Sequence, residues 1–267
     1  MRASTSLSLV ALALGALASL ESPVAAGGRS PIVNRACDNS AILRNYGVVL
    51  FRAFDPQDVF GPLELLQLVS HQHHMNLYLL ADTLDPVTTE PASAAMNPKN
   101  SSFSPIIQPS HTFADDPDLD VLIVPGGPGV RSPELNSTLD YITRTYPKVK
   151  YLITICTGSG LVAKTGILNG KRATTNKTSW PSIIPMGPLV KWVAPARWVV
   201  DGNIWSSSGI TAGIDCIFAF VKTMYPDGQA LFDEFAKLIE YQPHEDPCWD
   251  PFAAMNNITS QNQPDCK

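Results

Sequence analysis

The chain has 267 residues, of which 45% are hydrophobic and 16% charged, an ordinary globular balance that allows one sizeable buried core. Its formal net charge is −5 and it has no run of Lys and Arg, which excludes the basic surface that nucleic-acid binding requires. No apolar stretch reaches the roughly 20 residues of a membrane-spanning helix, so a membrane is not an expected partner either.

The first residues have the pattern of a secretory signal peptide. Arg2 precedes an apolar stretch at residues 7–20, and the small-residue site Val24-Ala25-Ala26 follows. Residues 1–26 are therefore predicted to be a signal peptide that is cleaved near Ala26. The mature protein is predicted to be secreted.

The sequons and cysteines agree with that route. Four N-x-[ST] sequons begin at Asn100, Asn136, Asn176 and Asn257, which predicts a glycoprotein. An odd number of cysteines leaves at least one thiol unpaired within the chain. Disulfides are expected at Cys37 and at the tail cysteines Cys248 and Cys266, with Cys156 free and Cys216 left open.

From residue 45 to residue 241, short apolar runs alternate with segments of helical period, which predicts one α/β domain with a mostly parallel sheet. The predicted strands cover residues 46–51, 76–81, 119–125, 150–155, 190–193 and 197–207, the last folded back at Asp201-Gly202. The predicted helices cover residues 63–70, 133–146, 157–165, 212–225 and 229–241. Residues 82–118 are predicted to be a long loop with short strands that shapes a pocket, and residues 242–267 an irregular tail held by disulfides.

The strongest candidate site residue is Cys156. The segment Thr154-Ile155-Cys156-Thr157-Gly158 places a thiol at a strand-to-helix turn, the geometry of a nucleophile elbow. The start of a helix is expected to lower the pKa of the thiol and so favour the reactive thiolate. A buried structural cysteine is the alternative, and periodicity alone does not separate the two.

Two further segments are expected beside this thiol. Residues 124–129, Val-Pro-Gly-Gly-Pro-Gly, follow the neighbouring strand, and the backbone N–H groups of Gly126, Gly127 and Thr157 are predicted to form an anion-stabilising pocket. The loop has neither P-loop nor dinucleotide-binding spacing, so no such cofactor is implied. Asp58, after the first strand, can either cap its helix or exchange a proton with Cys156.

Other polar residues carry weaker signals. On a helix, only His71 and His74 of the three neighbouring histidines share a face, so no metal site is predicted. Asp215 is expected to be structural, and Thr211 is a candidate for the pocket lining.

Several separated motifs together resemble the ThiJ/PfpI superfamily. The resemblance covers residues 46–241 and rests on Val-Pro-Gly-Gly, on residues 156–176 (CTGSGLVAKTGILNGKRATTN) and on Ser-Ser-Gly-Ile-Thr-Ala-Gly-Ile-Asp215. It implies the class I glutamine amidotransferase-like fold, a flavodoxin-like three-layer sandwich with a central, mostly parallel sheet, and a homodimer. Asp58-Val-Phe-Gly-Pro-Leu-Glu and Cys156-Thr157 resemble the isonitrile hydratase branch, whereas deglycase and glyoxalase relatives have Glu in place of this Asp.

The resemblance implies a cofactor-independent lyase acting on a small molecule. Cys156 would be the nucleophile and Asp58 the general acid-base in the hydration of an isonitrile to an N-substituted formamide. Thr-Thr-Asn176 stands where hydratase-like sequences often have Thr-Thr-His, which disfavours a Cys-His triad and places Asn176 in the pocket, its sequon unused. The alternatives are a glyoxalase-like or deglycase-like enzyme on 2-oxoaldehydes and a secreted binding or redox-sensing domain.

Overall fold

A computed structural model describes residues 42–259 and 261–262. The predicted signal peptide, Cys37 and Cys266 lie outside this part of the chain. The strands are β1 Asn45–Val49, β2 Asn76–Ala81, β3 Val87–Thr88, β4 Ile106–Ile107, β5 His111–Thr112, β6 Val121–Val124, β7 Tyr151–Thr154, β8 Arg172–Ala173, β9 Lys191–Trp192, β10 Trp198–Asp201 and β11 Ile204–Ser207. The helices are α1 Pro56–Ser70, α2 Asn136–Thr145, α3 Gly158–Lys164, α4 Trp180–Ile183, α5 Ile210–Met224, α6 Gly228–Leu238 and α7 Pro251–Met255, with 3₁₀ turns at Ala94–Met96, Pro128–Arg131 and Ile184–Met186.

Seven strands form the central sheet in the order β10-β11-β7-β6-β1-β2-β5. All neighbours in it are parallel except β10 and β11, which form the hairpin predicted at Asp201-Gly202. Strands β6 and β7 are almost entirely apolar and lie at the centre, as expected for strands covered on both faces. Helices α1, α5 and α6 pack together, as do α2 and α3. The predicted α/β fold with a mostly parallel sheet is therefore confirmed.

The first helix begins earlier than predicted. The sequence favours Gly61-Pro62 as its opening, but α1 starts at Pro56, and Pro62 lies inside it. Asp55 is the residue that caps this helix, because its side chain accepts a hydrogen bond from the Gln57 N–H at 3.0 Å. The cap predicted as one role for Asp58 therefore belongs to Asp55, and Asp58 lies in the first turn.

The long loop of residues 82–118 contains the short strands β3, β4 and β5, as predicted. Together with residues 128–138 it lines an open groove of about 600 Å³. Neither Cys156 nor Asp58 is among the residues that line the groove. The pocket that this loop shapes is thus separate from the thiol.

The tail is more regular than predicted. It contains the short helix α7, and Gln261 pairs with Ala194 as an isolated antiparallel bridge. Cys248 is disulfide-bonded, whereas Cys156 and Cys216 are free and buried. In the part of the chain that the structure describes, no helix is long and apolar enough to cross a bilayer.

Candidate active site

Cys156 lies in a sharp turn between β7 and α3. Its φ is +55°, a left-handed conformation that a non-glycine residue adopts rarely and at some cost. The turn also needs Gly158, because a Cβ there would collide with the carbonyl oxygen of Val124 at the end of β6. The structure therefore has the strained strand-to-helix elbow that the sequence predicts.

Two hydroxyl groups hold the backbone of this elbow. The Cys156 carbonyl oxygen accepts hydrogen bonds from Thr175 Oγ1 at 3.1 Å and from Ser159 Oγ at 3.2 Å. Both donors are buried, so water does not compete for the carbonyl. The strained turn is thus fixed from its own helix and from the segment that follows β8.

Asp58 reaches the thiol from the first turn of α1. Its side chain is fully buried, and its Oδ2 accepts a hydrogen bond from the Gly126 N–H at 2.9 Å. Burial, reinforced by the nearby Asp55 carboxylate, raises the pKa of Asp58 from 3.8 to about 7. The Gly126 amide and the Cys156 thiol donate to the carboxyl and partly oppose that rise. The thiol is a weak donor, and Asp58 Oδ1 has no partner of regular hydrogen-bond geometry among the described residues.

The pKa of the Cys156 thiol is raised, mainly by burial and next by the Asp58 carboxylate. The Thr157 N–H and the Asn176 side chain donate hydrogen bonds to the sulfur and act in the opposite direction. The expectation that the helix start lowers this pKa is therefore wrong for the resting site, because desolvation outweighs the helix terminus. With Asp58 ionised, the proton of the pair remains on sulfur.

The N–H groups of the glycine-rich loop, residues 124–129, bind other groups of the protein, including the Asp58 carboxyl, and are not free to bind an anion. The Gly126 N–H binds Asp58, and the Gly127 N–H donates to Thr157 Oγ1 at 2.9 Å. A Cβ on Gly126 would lie 2.5 Å from the Thr157 nitrogen and 2.9 Å from Asp58 Oδ2, so only glycine permits this approach. In the structure, the predicted anion-binding amides of Gly126 and Gly127 are engaged by the protein, and the Thr157 amide faces the sulfur.

The two other pocket candidates differ in position. Asn176 lies at the thiol; its Oδ1 accepts from the Ser179 N–H at 2.9 Å, which leaves its amide group to donate to sulfur. Thr211 is exposed, and its hydroxyl accepts a hydrogen bond from Arg197 at 3.4 Å. The structure thus brings Asn176 to Cys156 and places Thr211 on the surface.

The remaining candidates have structural contacts. His73 Nε2 lies 3.0 Å from the Asp227 carboxylate, and Asp215 forms a buried ion pair with Arg197 and accepts from the Tyr241 hydroxyl at 2.7 Å. Within residues 42–259 and 261–262, no group of three His, Cys, Asp or Glu side chains is arranged to hold a metal ion.

Sequence reasoning missed a buried charge pair beside the site. Lys177 Nζ lies 3.0 Å from Asp250 Oδ2, and both side chains are only 1% exposed. Burial lowers the pKa of Lys177 to about 8, although Asp250 opposes the shift. Lysine is almost never fully buried, but that preference does not tell from sequence which lysine is the exception.

Comparison with known proteins agrees with this geometry. The model of the DJ-1/PfpI family matches residues 50–223. Isonitrile hydratase from Pseudomonas putida is 35% identical over 170 residues, 63% of this chain and 67% of the relative. A deglycase from Pyrococcus horikoshii is 33% identical over 98 residues, 36% of this chain and 57% of the relative.

Solved structures show the same fold. A ThiJ/PfpI family protein from Pseudomonas syringae superposes with a TM-score of 0.61 at 24% identity, over 83% of this chain and 84% of the other. At that identity the likeness concerns the fold alone. The family match covers both strands that frame the elbow, together with Asp58, Cys156 and Asn176. The chain belongs to the DJ-1/PfpI family.

Proposed function

We propose that the protein hydrates isonitriles to N-substituted formamides. The observation that carries the proposal is a buried carboxyl of near-neutral pKa in contact with the elbow thiol. Asp58, Asp55, Asn176 and Lys177 act on this thiol in the described part of the chain, and among the ionisable ones Asp58 is hydrogen-bonded to it, so Asp58 is the group placed to exchange its proton. The similarity to isonitrile hydratase supports this substrate class.

The proposed reaction has two steps. In the first, Asp58 takes the Cys156 proton while sulfur bonds to the terminal carbon of R–N≡C, and the carboxyl then passes the proton to that carbon, giving a thioimidate, R–N=CH–S. In the second, water that Asp58 activates adds to the same carbon and the nitrogen is protonated. The C–S bond then breaks, sulfur regains a proton, and R–NH–CHO leaves.

The roles of the neighbouring groups follow from their positions. The Thr157 N–H and the Asn176 amide donate to the sulfur and would stabilise negative charge as it develops there. Gly126 would orient the reacting carboxyl through its hydrogen bond to Oδ2. No step in this scheme requires a cofactor.

Turnover of an alkyl isocyanide tests the proposal directly. Wild-type protein should release formamide, Cys156→Ala should release none, and Asp58→Asn should lose roughly a hundredfold in rate because an amide cannot carry the proton. Glu64→Gln is a matched control, since Glu64 is an exposed carboxylate on the same helix, and it should keep the wild-type rate. Folded wild-type protein that forms no formamide would refute the assignment.

Action on 2-oxoaldehydes is the second candidate, favoured by the partial match to a deglycase. Incubation with methylglyoxal, followed as lactate, separates the two activities. Asp58→Glu gives the site the longer carboxyl found in glyoxalase-like relatives and is expected to exchange isonitrile turnover for weak activity on the aldehyde. If neither substrate is consumed and Cys156 only oxidises, the domain is a binding or redox-sensing protein.

We also propose that the protein is secreted and acts as a homodimer. The signal-like residues 1–26 and the exposed Asn100, Asn136 and Asn257 support the secretory route. Light scattering of the purified protein measures the oligomeric state. A monomer at micromolar concentration would exclude the dimer.

A further inference from the structure

The buried Lys177–Asp250 pair lies against the segment that holds Cys156. Besides Asp250, the Lys177 ammonium is within 2.9 Å of Thr174 Oγ1 and Ser208 Oγ and within 3.1 Å of the Thr175 carbonyl oxygen. An ammonium has three protons to donate, so these oxygens fully satisfy it. The Lys177 ammonium therefore holds the Thr174 hydroxyl and the Thr175 carbonyl group in place.

That segment touches the elbow at two points. The Thr175 hydroxyl donates to the Cys156 carbonyl oxygen at 3.1 Å, and the Asn176 side chain lies close enough to the thiol to oppose the rise in its pKa. Lys177 is the next residue, so the backbone that carries Asn176 is held between the ammonium and the elbow. A shift of residues 174–176 would move the Asn176 amide away from sulfur.

The acidic partner comes from outside the matched family region. Asp250 follows the disulfide-bonded Cys248 and precedes α7, beyond the residues 50–223 that the family model covers. Its Oδ2 also accepts the Ala196 N–H at 3.0 Å. The carboxylate thus anchors the C-terminal segment to the strand-rich part of the fold and to Lys177 at once.

We propose that Lys177 and Asp250 are positioning residues that hold the Asn176 amide at the Cys156 thiol, so that the C-terminal segment completes the site. The proposal adds a structural requirement to the isonitrile chemistry above and rests on that function only for the activity readout. The proposed contact is made to the Cys156 thiol, whose reactivity can be measured without any substrate.

The rate of Cys156 alkylation by iodoacetamide, followed against pH on the full chain, is the primary test. Peptide mass spectrometry assigns the modified residue, and Cys216, the other free cysteine in the described region, is completely buried. Asp250→Ala should raise the pH midpoint of alkylation by about one unit, because the thiolate loses the hydrogen bond from Asn176. Asp250→Asn keeps an oxygen that can accept from Lys177, so its midpoint should lie at least halfway back from the Asp250→Ala value to the wild-type value.

The sign of the shift alone does not separate positioning from direct electrostatics. The charged groups that face the sulfur are Asp58, Asp55 and Lys177. Asp250 opposes the lowering of the Lys177 pKa by burial, so the amine loses its charge more readily in Asp250→Ala, and that loss would also raise the midpoint. The combination with Asn176→Ala separates the two causes, because a purely electrostatic shift would add to the effect of Asn176→Ala. An unchanged or lowered midpoint in Asp250→Ala would overturn the proposal.

Two further variants separate positioning from folding. Asn176→Ala combined with Asp250→Ala should shift the midpoint no further than Asn176→Ala alone, because both changes remove the same hydrogen bond. Lys177→Met/Asp250→Leu replaces both charges by apolar groups, which buried pairs often tolerate, and should fold with a raised midpoint. Additive shifts of the midpoint in Asn176→Ala/Asp250→Ala would show that the pair does not act through the Asn176 amide. A wild-type midpoint in folded Lys177→Met/Asp250→Leu would show that the pair only stabilises the fold.

Glu245→Gln is the matched control. Glu245 lies on the same C-terminal segment and pairs with Lys222 on α5 at 2.7 Å, but both side chains are partly exposed. The loss of its charge should leave the alkylation midpoint unchanged.

In the isonitrile assay, Asp250→Ala should lower kcat about tenfold with KM within twofold. A site that alkylates as expected but forms no formamide would contradict the proposed substrate and leave the positioning role intact.

Discussion

At Asp58 the folded chain holds a carboxyl whose pKa is raised from 3.8 to about 7. A raised carboxyl pKa means that the folded state binds this proton more tightly than the unfolded state does. The stability that it contributes is therefore present at acidic pH and lost as pH rises from about 4 to 7, by about 4 kcal/mol in total. The site keeps its acid-base group at the expense of stability at neutral and alkaline pH.

Asp58→Asn should therefore stabilise the protein at pH 8 by up to about 4 kcal/mol, while it lowers the rate of turnover roughly a hundredfold. The amide keeps the size of the side chain and the acceptor for the Gly126 N–H, but it carries no charge to bury. Urea unfolding at pH 8 and pH 4.5 measures the difference, which should fall to about 1 kcal/mol at the lower pH. Asp140→Asn, an exposed change on α2, should alter stability by less than about 0.5 kcal/mol. A variant less stable than wild type at pH 8 would contradict the burial cost.

At the scale of elements, the junction of β7 with α3 depends on the end of β6. Gly158 packs its Cα against the carbonyl groups of Val124 and Pro125, where no side chain fits. Gly158→Ala should push the elbow away from β6 and reduce the free energy of unfolding by about 2–3 kcal/mol. It should also change the rate of Cys156 alkylation, since the turn carries the thiol.

Gly202 gives the control for this substitution. It has a φ of +64° in the β10–β11 hairpin, and a Cβ added there would meet no other atom within 4 Å. Gly202→Asn suits that left-handed conformation and should cost less than about 1 kcal/mol. Thermal unfolding and alkylation of both variants provide the comparison. Equal effects of the two changes would show that the Gly158 contact does not support the elbow.

Among the helices and strands, the sequence predicts the central strands and the elbow correctly but not the start of α1. Apolar runs predict the central strands because β6 and β7 are covered on both faces, and the elbow follows from a thiol placed at a strand end. The predicted start of α1 is wrong because Asp55-Pro56 and Gly61-Pro62 both have the pattern of a helix opening. Only the tertiary contact of Asp58 with Gly126 reveals which turn faces the thiol.

Over the whole molecule, contacts between distant segments are the least predictable. Asp250 meets Lys177 through a tail whose composition predicts irregular structure, and neither residue type indicates its partner. The sequence predicts that the N–H groups of Gly126 and Gly127 are free to bind an anion, whereas the structure shows them donating to Asp58 and Thr157. The prediction is wrong because these two acceptors come from other segments of the chain. Sequence pattern specifies the layers of this fold, whereas the polar site between them depends on long-range packing.

The four sequons offer a test that spans the whole molecule. Asn100, Asn136 and Asn257 are exposed, whereas the Asn176 side chain binds the Ser179 N–H and the Cys156 thiol. In protein expressed through a secretory pathway, we therefore expect glycans at exposed sequons and none at Asn176. Glycopeptide mass spectrometry measures the occupancy of each site, with Asn257→Gln as a variant that should lose one glycan and keep the wild-type alkylation midpoint. A glycan on Asn176 in folded protein with a reactive Cys156 would contradict the hydrogen bond assigned between that amide and the sulfur.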